Sequence, residues 1–307
     1  MAMREDFCAF ILTHGRPDGV RTLNTLERSG YTGKVYIVID DEDTAGDEYR
    51  RRYGDKVLTF CREDAFAITD DGDNFGKDKG VVYARNVCWE LARSVGVNYF
   101  VVLDDDYGNF ALRWRSDGKG IYQAMRTTLD AVLEQFVTYL EATPAVCVAL
   151  SQGGDLIGGT AGREPSLKRK AMNAFVCSAV KPFQFFGHIN EDVNAYVTLS
   201  RQGVLFFTVM QAQLVQSTTQ KNSGGLTEFY LDVGTYVKTF YSVMYAPSCV
   251  RIATLGDSGR WGNPQHRIHH KINWHNTAPK IIREQYKKTG NNQSLSEDDG
   301  AGREGGD

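Results

Sequence analysis

The feature that most constrains the fold is an apolar string that runs straight into three carboxylates. Tyr99-Phe100-Val101-Val102-Leu103 has the β-branched and aromatic content of a strand covered on both faces, and Asp104-Asp105-Asp106 follows without a spacer. Three adjacent Asp side chains repel one another, and none is buried cheaply without a counter-charge. Asp also forms strands poorly, so the triplet contributes nothing to the sheet. In open α/β sheets ligands sit beyond the carboxyl ends of the strands, where these acids fall. A divalent cation with phosphate oxygens completing its shell relieves the repulsion. A solvated acidic turn is the competing reading, and the rest of the chain has to decide.

The neighbouring pattern supplies the sheet. Phe7 to Thr13 reads as a first buried strand, followed by a helix from Pro17 to about Arg28, a strand Val35 to Ile39 and a short strand Lys56 to Phe60. A polar loop, Thr69 to Gly80, precedes a helix from Val81 to about Ser94 and then the Tyr99 strand. Buried-type strands alternating with helices predict an α/β fold with a parallel sheet. A hairpin around Ser116-Asp117-Gly118 and a long helix from Tyr122 to Glu141 follow. Further strands are expected over Ala145 to Leu150, Ala174 to Val180, Val204 to Val209 and Cys249 to Ala253. Helices are expected over Asn190 to Arg201 and Leu226 to Tyr241, and the Gly-rich stretch Gln152 to Lys170 reads as a mobile loop.

Composition bounds the class. The 307 residues are 42% apolar, enough for a large core, and no apolar run reaches membrane-spanning length. The N-terminus has no signal-peptide pattern. Six Cys are scattered singly; Cys8, Cys88, Cys147 and Cys177 lie in apolar strings, which predicts buried thiols rather than a zinc site. The net charge of −3 is uneven. The tail after Gly290 is acidic and Gly-rich, and predicts disorder. From Arg260 to Lys288 there are seven Lys/Arg against one Glu, with four of the six His, a patch that permits an anionic partner.

Four motifs now stand in order: Thr13-His14-Gly15-Arg16-Pro17 after the first strand, Asp40-Asp41 after the second, Ala84-Arg85-Asn86 on a helix, and Asp104-Asp105-Asp106. In that order and spacing the chain resembles the GT-A glycosyltransferases over about its first two hundred residues. The resemblance implies a Rossmann-like, mostly parallel sheet flanked by helices, with acceptor-side insertions. It implies a single domain over 1–290, with a nucleotide-sugar-binding half (1–125), an acceptor-binding half (126–290) and a tail (291–307). It assigns Thr13, His14, Arg16, Asp40, Arg85, Asn86, Asp104 and Asp105 to the donor, a UDP-sugar. Asp104 and Asp106 would hold Mn²⁺ or Mg²⁺ on the diphosphate, while strand alternation turns Asp105 the other way, toward the sugar or toward solvent. Arg85 as a solvated helix residue and Asp40 as a surface turn acid are the plain alternatives.

Two further stretches extend the resemblance. Glu191-Asp192 opens a helix after the Phe185-Phe186-Gly187-His188 loop. The helix macrodipole alone explains an acid pair there, but inverting GT-A enzymes place their base at a similar point, which favours Asp192 over Glu191. The His269-His270-Lys271 stretch implies that His269 or His270 joins the metal. Strand alternation there puts His269 and Lys271 on one side and His270 on the other.

The segments Gln220 to Glu228, Gly234-Thr235-Tyr236, Phe240 to Met244 and His269 to Trp274 look like the TET-associated glycosyltransferases of phage DNA hypermodification. That resemblance implies transfer to a hydroxymethylated pyrimidine in DNA, most often 5-hydroxymethylcytosine, in the host cytoplasm. The base would leave the stack to reach the site. Phe185, Phe186 and Trp261 are then candidates to stack on it, and Lys168, Arg169, Lys170 and Lys271 to meet phosphates. The alternatives are a GT-A enzyme acting on a protein or polysaccharide, a metal-dependent nuclease, and a non-catalytic DNA-binding module.

Overall fold

In the computed structural model, residues 2–73, 80–114, 121–124, 127–152, 170–172, 174–216, 237–256 and 266–278 are described. The first half alternates β1 (Phe7–Leu12), α1 (Arg21–Arg28), β2 (Lys34–Asp40), α2 (Gly46–Tyr53), β3 (Val57–Phe60), α3 (Arg62–Ala67), α4 (Val81–Ser94) and β4 (Tyr99–Asp104). The second half adds β5 (Tyr107–Trp114), β6 (Ile121–Ala124), α5 (Leu129–Ala142), β7 (Cys147–Ser151), β8 (Phe175–Ser178), α6 (Glu191–Arg201) and β9 (Phe206–Gln216). Last come α7 (Val237–Tyr245), β10 (Val250–Gly256), β11 (His266–Ile272) and the short α8 (Trp274–Thr277).

Strands β1 to β9 form one sheet in the order β3-β2-β1-β4-β8-β7-β9-β5-β6. Within it β3, β2, β1 and β4 are mutually parallel, and β7 is parallel to β9, while β8 and β5 run against their neighbours. The α/β class with a helix-flanked, mostly parallel sheet is therefore what the sequence pattern demanded. β10 and β11 make a separate antiparallel pair.

Both faces of β4 are covered, as its unbroken apolar run requires. Phe100 and Val102 join a core with Phe10, Trp89, Phe175 and Phe185, whereas Val101 and Leu103 join another with Ile11, Leu133 and Phe136. Each large side chain so buried contributes about 1.5–3 kcal/mol. Cys8, Cys88, Cys147 and Cys177 are buried free thiols. No helix among the described residues is long and apolar enough to cross a membrane.

Several element bounds differ from the sequence expectation. α1 begins at Arg21 rather than Pro17, because Gly19 N–H closes a turn on Arg16 O (2.8 Å) and the Tyr53 hydroxyl takes Pro17 O (2.7 Å). The long helix begins at Leu129 instead of Tyr122: residues 121–124 pair with β5, and Thr128 caps the helix by accepting from Ala131 N–H at 3.3 Å. β9 runs on to Gln216, past Val209, because its far half pairs with β5. The last long helix is described only from Val237, and the Gln152–Lys170 loop and the acidic tail lie almost wholly outside the described residues.

Candidate functional site

Parallel pairing brings three motif-bearing strand ends to one edge. Leu12 pairs with Asp104 on one side and Val38 on the other, so Thr13, Asp40 and Asp104 emerge side by side. The Thr13–Arg16 loop is then fixed from the β2 side. His14 Nδ1 lies 2.8 Å from Asp40 Oδ2, Gly15 N–H donates to Asp43 Oδ2 (2.8 Å), and Arg16 N–H donates to the Tyr49 hydroxyl (2.8 Å). The hydrogen bond to Asp40 raises the His14 pKa above the ordinary imidazole range, outweighing burial. Burial raises Asp40, but His14 and Arg62, whose Nη1 is 3.3 Å away, outweigh it and hold the carboxyl below its usual range.

The acid triplet divides by environment. Asp105 is 1% exposed, accepts from Thr13 Oγ1 at 2.6 Å and pairs with Arg16 Nη2 at 3.1 Å. Burial pushes its pKa up to about 6 against those two partners. It therefore ties the acid turn to the first loop. Asp104 and Asp106 are both partly exposed. Burial and the Asp104 charge raise Asp106, whose Oδ1 is 3.4 Å from Gln216 Nε2. Oxygen donors in a partly open site suit Mg²⁺ or Mn²⁺ with phosphate and water completing the shell. The turn's backbone is clamped from α1: Thr22 Oγ1 donates to Asp104 O (2.6 Å) and accepts from Tyr107 N–H (3.0 Å), while Thr25 Oγ1 donates to Tyr107 O (2.9 Å).

Arg85 joins the end of β4 to the start of α6. Only 2% exposed, it places Nη2 3.4 Å from Asp104 Oδ1 and Nη1 2.8 Å from Glu191 Oε1, with the guanidinium over the Phe175 and Phe185 rings. The solvated-helix alternative for Arg85 does not survive this. Glu191 and Asp192 are each 6% exposed; burial raises both pKa values and Arg85 opposes it. Asp192 has no ion pair of its own among the described residues, though the Lys170 charge also lowers its pKa.

Lys170, assigned by sequence to DNA phosphate, is partly exposed and places its Nζ 3.5 Å from His270 Nε2. The other His270 nitrogen lies 3.3 Å from Asn190 Nδ2, the residue that opens α6 at φ 59°. Burial, then the Lys170 charge, pushes His270 down to about 3, so its imidazole is neutral. His270 is buried and Lys271 exposed, but the expected alternation is incomplete: Ile268, placed on the His270 side, is exposed, and the His269 ring stacks on His270 with centroids 4.2 Å apart. Asn86 braces the loop before Glu191-Asp192, its Nδ2 donating to Phe185 O (2.9 Å) and its Oδ1 accepting from Phe185 N–H (2.8 Å). Phe185, 1% exposed among Trp89, Phe175 and Phe183, is core and offers no stacking face, while Phe186 packs on Tyr245. Lys168, Arg169 and Trp261 lie outside the described residues.

The described residues contain one group of three metal-type side chains within 4.8 Å of one another: Asp71, Asp73 and His188. Asp104, Asp106, His269 and His270 do not form such a group there, so diphosphate oxygens would have to complete a cation's shell at the triplet. His188 Nδ1 is 3.3 Å from Asp73, which also accepts from the Tyr241 hydroxyl. Sequence reasoning missed this group, along with Asp43, Tyr49 and Arg62: all but His188 lie in a loop or short helix with no motif around them, and His188 stood in the loop before Glu191-Asp192 without a role.

The sequence model described as TET-Associated Glycosyltransferase matches residues 7–225. No curated protein matches the chain. Among solved structures, glucosyl-3-phosphoglycerate synthase from Mycobacterium tuberculosis, in complex with Mn²⁺, UDP and phosphoglyceric acid, is 12% identical at a TM-score of 0.42, covering 93% of this chain and 91% of that one. The mannosyltransferase PcManGT from Pyrobaculum calidifontis, with GDP-Man and Mn²⁺, is 10% identical at 0.43, covering 80% and 75%. S. aureus TarS 1–349 with UDP-GlcNAc is 11% identical at 0.41, covering 78% and 66%.

Proposed function

The chain belongs to the TET-associated glycosyltransferase family, and we propose that it moves a sugar from a UDP-sugar to the hydroxymethyl oxygen of a modified pyrimidine, foremost 5-hydroxymethylcytosine, in DNA. One observation carries the reading: a buried Arg85 within ion-pair distance of Asp104 and Glu191 at once. It joins an acid suited to the donor phosphates to an acid pair suited to an acceptor hydroxyl.

In this reading Thr13, His14 and Asp40 frame the nucleoside, and Arg16 faces the diphosphate. Mn²⁺ or Mg²⁺ held by Asp104 and Asp106, with His269 or His270 as a further ligand, would neutralise the departing diphosphate. Asp105 and Asn86 serve the donor side indirectly, through the loops they brace. Asp192 takes the proton of the acceptor hydroxyl as the new C–O bond forms and the bond to the diphosphate breaks, with inversion at the anomeric carbon. Burial raises the Asp192 pKa toward the working range of a base, which favours that role. Glu191, paired to Arg85 at 2.8 Å, is the less available of the two. Lys168, Arg169 and Trp261 complete the DNA contacts the reading assigns.

Two variants separate the donor and acceptor roles. Asp104→Ala is expected to abolish metal-dependent UDP binding in calorimetry. Asp192→Asn is expected to keep that binding and lower transfer by about 10²–10⁴-fold. Full transfer by Asp192→Asn contradicts the assignment of the base.

A further inference from the structure

The β10–β11 hairpin has two chemically different faces. His270 turns inward to Asn190, the residue next to the acid pair, whereas Lys271 turns outward and sits directly opposite Arg251 in the ladder. Both cations are exposed, and among the described residues neither has an ion-pair partner. Like charges directly opposite on one face of an antiparallel pair are destabilising. Their placement becomes favourable once an anion lies between them.

The space for one is present. Arg251 and Lys271 line a cavity of about 420 Å³ together with Ser248, Asn273 and the half-buried Trp274, and among the described residues no acid lines it. Arg201, at the end of α6, reaches its rim with Nη1 3.3 Å from Ser248 Oγ. The volume accommodates a nucleotide unit. Lys271, which lines the groove, and His270, which meets Asn190 beside the acid pair, are consecutive residues of β11, so one strand joins the two places.

We infer that the groove seats the phosphodiester backbone of the acceptor DNA, with Arg251 and Lys271 clamping phosphate. The inference rests on the DNA-acceptor reading and adds to it the place where the strand is held while its base enters the site. A nucleic-acid backbone suits the groove better than an acidic peptide. It presents permanent, closely repeated charge to the Arg–Lys pair, and Trp274 supplies an apolar flank for the sugar.

The test uses the full chain and a short unmodified DNA duplex, followed by fluorescence anisotropy across a salt series. Arg251→Gln/Lys271→Gln is expected to weaken binding on the order of tenfold or more at low salt and to make the log–log salt slope shallower by about 1.8, for two lost phosphate contacts. Lys271→Gln alone should give about half that change in slope. The melting temperature should hold or rise, because a like-charge pair has been removed; this separates lost binding from lost folding. Unchanged affinity and slope in a folded double variant would overturn the groove assignment while leaving the DNA-acceptor reading intact. A wild-type chain that binds no duplex defeats that reading itself. If polyglutamate binds instead, and the same variants weaken it, the occupant is an acidic protein and the inference fails.

Discussion

At the residue scale, charge was legible in the sequence but its partners were not. Three consecutive Asp could be seen to need relief, and alternation correctly separated Asp105 from its neighbours. That Asp105 would be locked between Thr13 and Arg16, while Thr22 and Thr25 clamp the turn, depends on contacts across more than eighty residues. No local pattern records such contacts. Arg85 is the sharpest case. The sequence put Arg85 at the donor, with a solvated helix residue as the alternative, and could not show that it is the buried counter-charge for two acids from different segments. Removing one partner of a buried pair is strongly destabilising. Arg85→Met should therefore cost about 3 kcal/mol in urea unfolding and leave Asp104 and Glu191 unbalanced; a loss under about 1 kcal/mol contradicts the account. Asp192→Ala, with no ion pair broken, should cost less.

The His14–Asp40 contact carries a pH dependence whose sign follows from the two shifts. The raised His14 contributes stability that is present below the ordinary imidazole value and is lost as pH rises through its higher folded value. The lowered Asp40 contributes stability that is present above the ordinary carboxylate value and is lost as pH falls through its lower folded value. The pair is thus fully effective between about pH 4 and about pH 6.5. The stability difference between wild type and His14→Gln, measured by denaturant unfolding, should be largest near pH 5–6 and shrink in alkaline buffer. A difference flat with pH would mean the contact does not form in solution.

At the element scale, what could be read was whatever carried a long apolar period. α4 fell where expected because Val82, Cys88, Trp89 and Ala92 keep one face buried along its length. α2 and α3 escaped notice for the opposite reason. α2 buries only Gly46 and Tyr49 and carries Arg50, Arg51 and Arg52 in its last turn, so tertiary contact rather than pattern holds it. The boundary of α5 was misplaced because residues 121–124 pair as a strand before a polar cap that a helical period does not reveal. Thr128→Ala should lower stability by about 1 kcal/mol through loss of that cap, with little effect on donor binding. Gly187 behaves differently. It adopts φ +88°, and a Cβ there would run into the Asn194 amide, which holds Phe186 O and Ile189 O. Gly187→Ala should therefore disturb the loop leading into Glu191-Asp192 and lower transfer, read as a fall in kcat with UDP binding retained.

At the scale of the whole molecule, the α/β class and the gathering of Thr13, Asp40 and Asp104 followed from the parallel half of the sheet, which alternation of strands and helices predicts. The reversed strands β8 and β5, and the hairpin that brings His270 beside Asn190, did not follow, because non-consecutive pairing leaves no mark on hydrophobic period. The same topology gives the molecule its division: the groups proposed for the donor along the carboxyl edge of β1, β2 and β4, the acid pair across Arg85 from them, and the basic groove at the β10–β11 hairpin. Sugar transfer to DNA follows if those parts act together. The most direct measurement is the mass of hydroxymethylated DNA after incubation with the purified protein, Mn²⁺ and each of a panel of UDP-sugars, beside unmodified DNA of the same sequence. The account predicts a gain of one sugar residue per modified base with at least one donor, absent from unmodified DNA and from the Asp104→Ala and Asp192→Asn reactions. No mass gain with any donor, from protein that binds UDP and DNA, would contradict it.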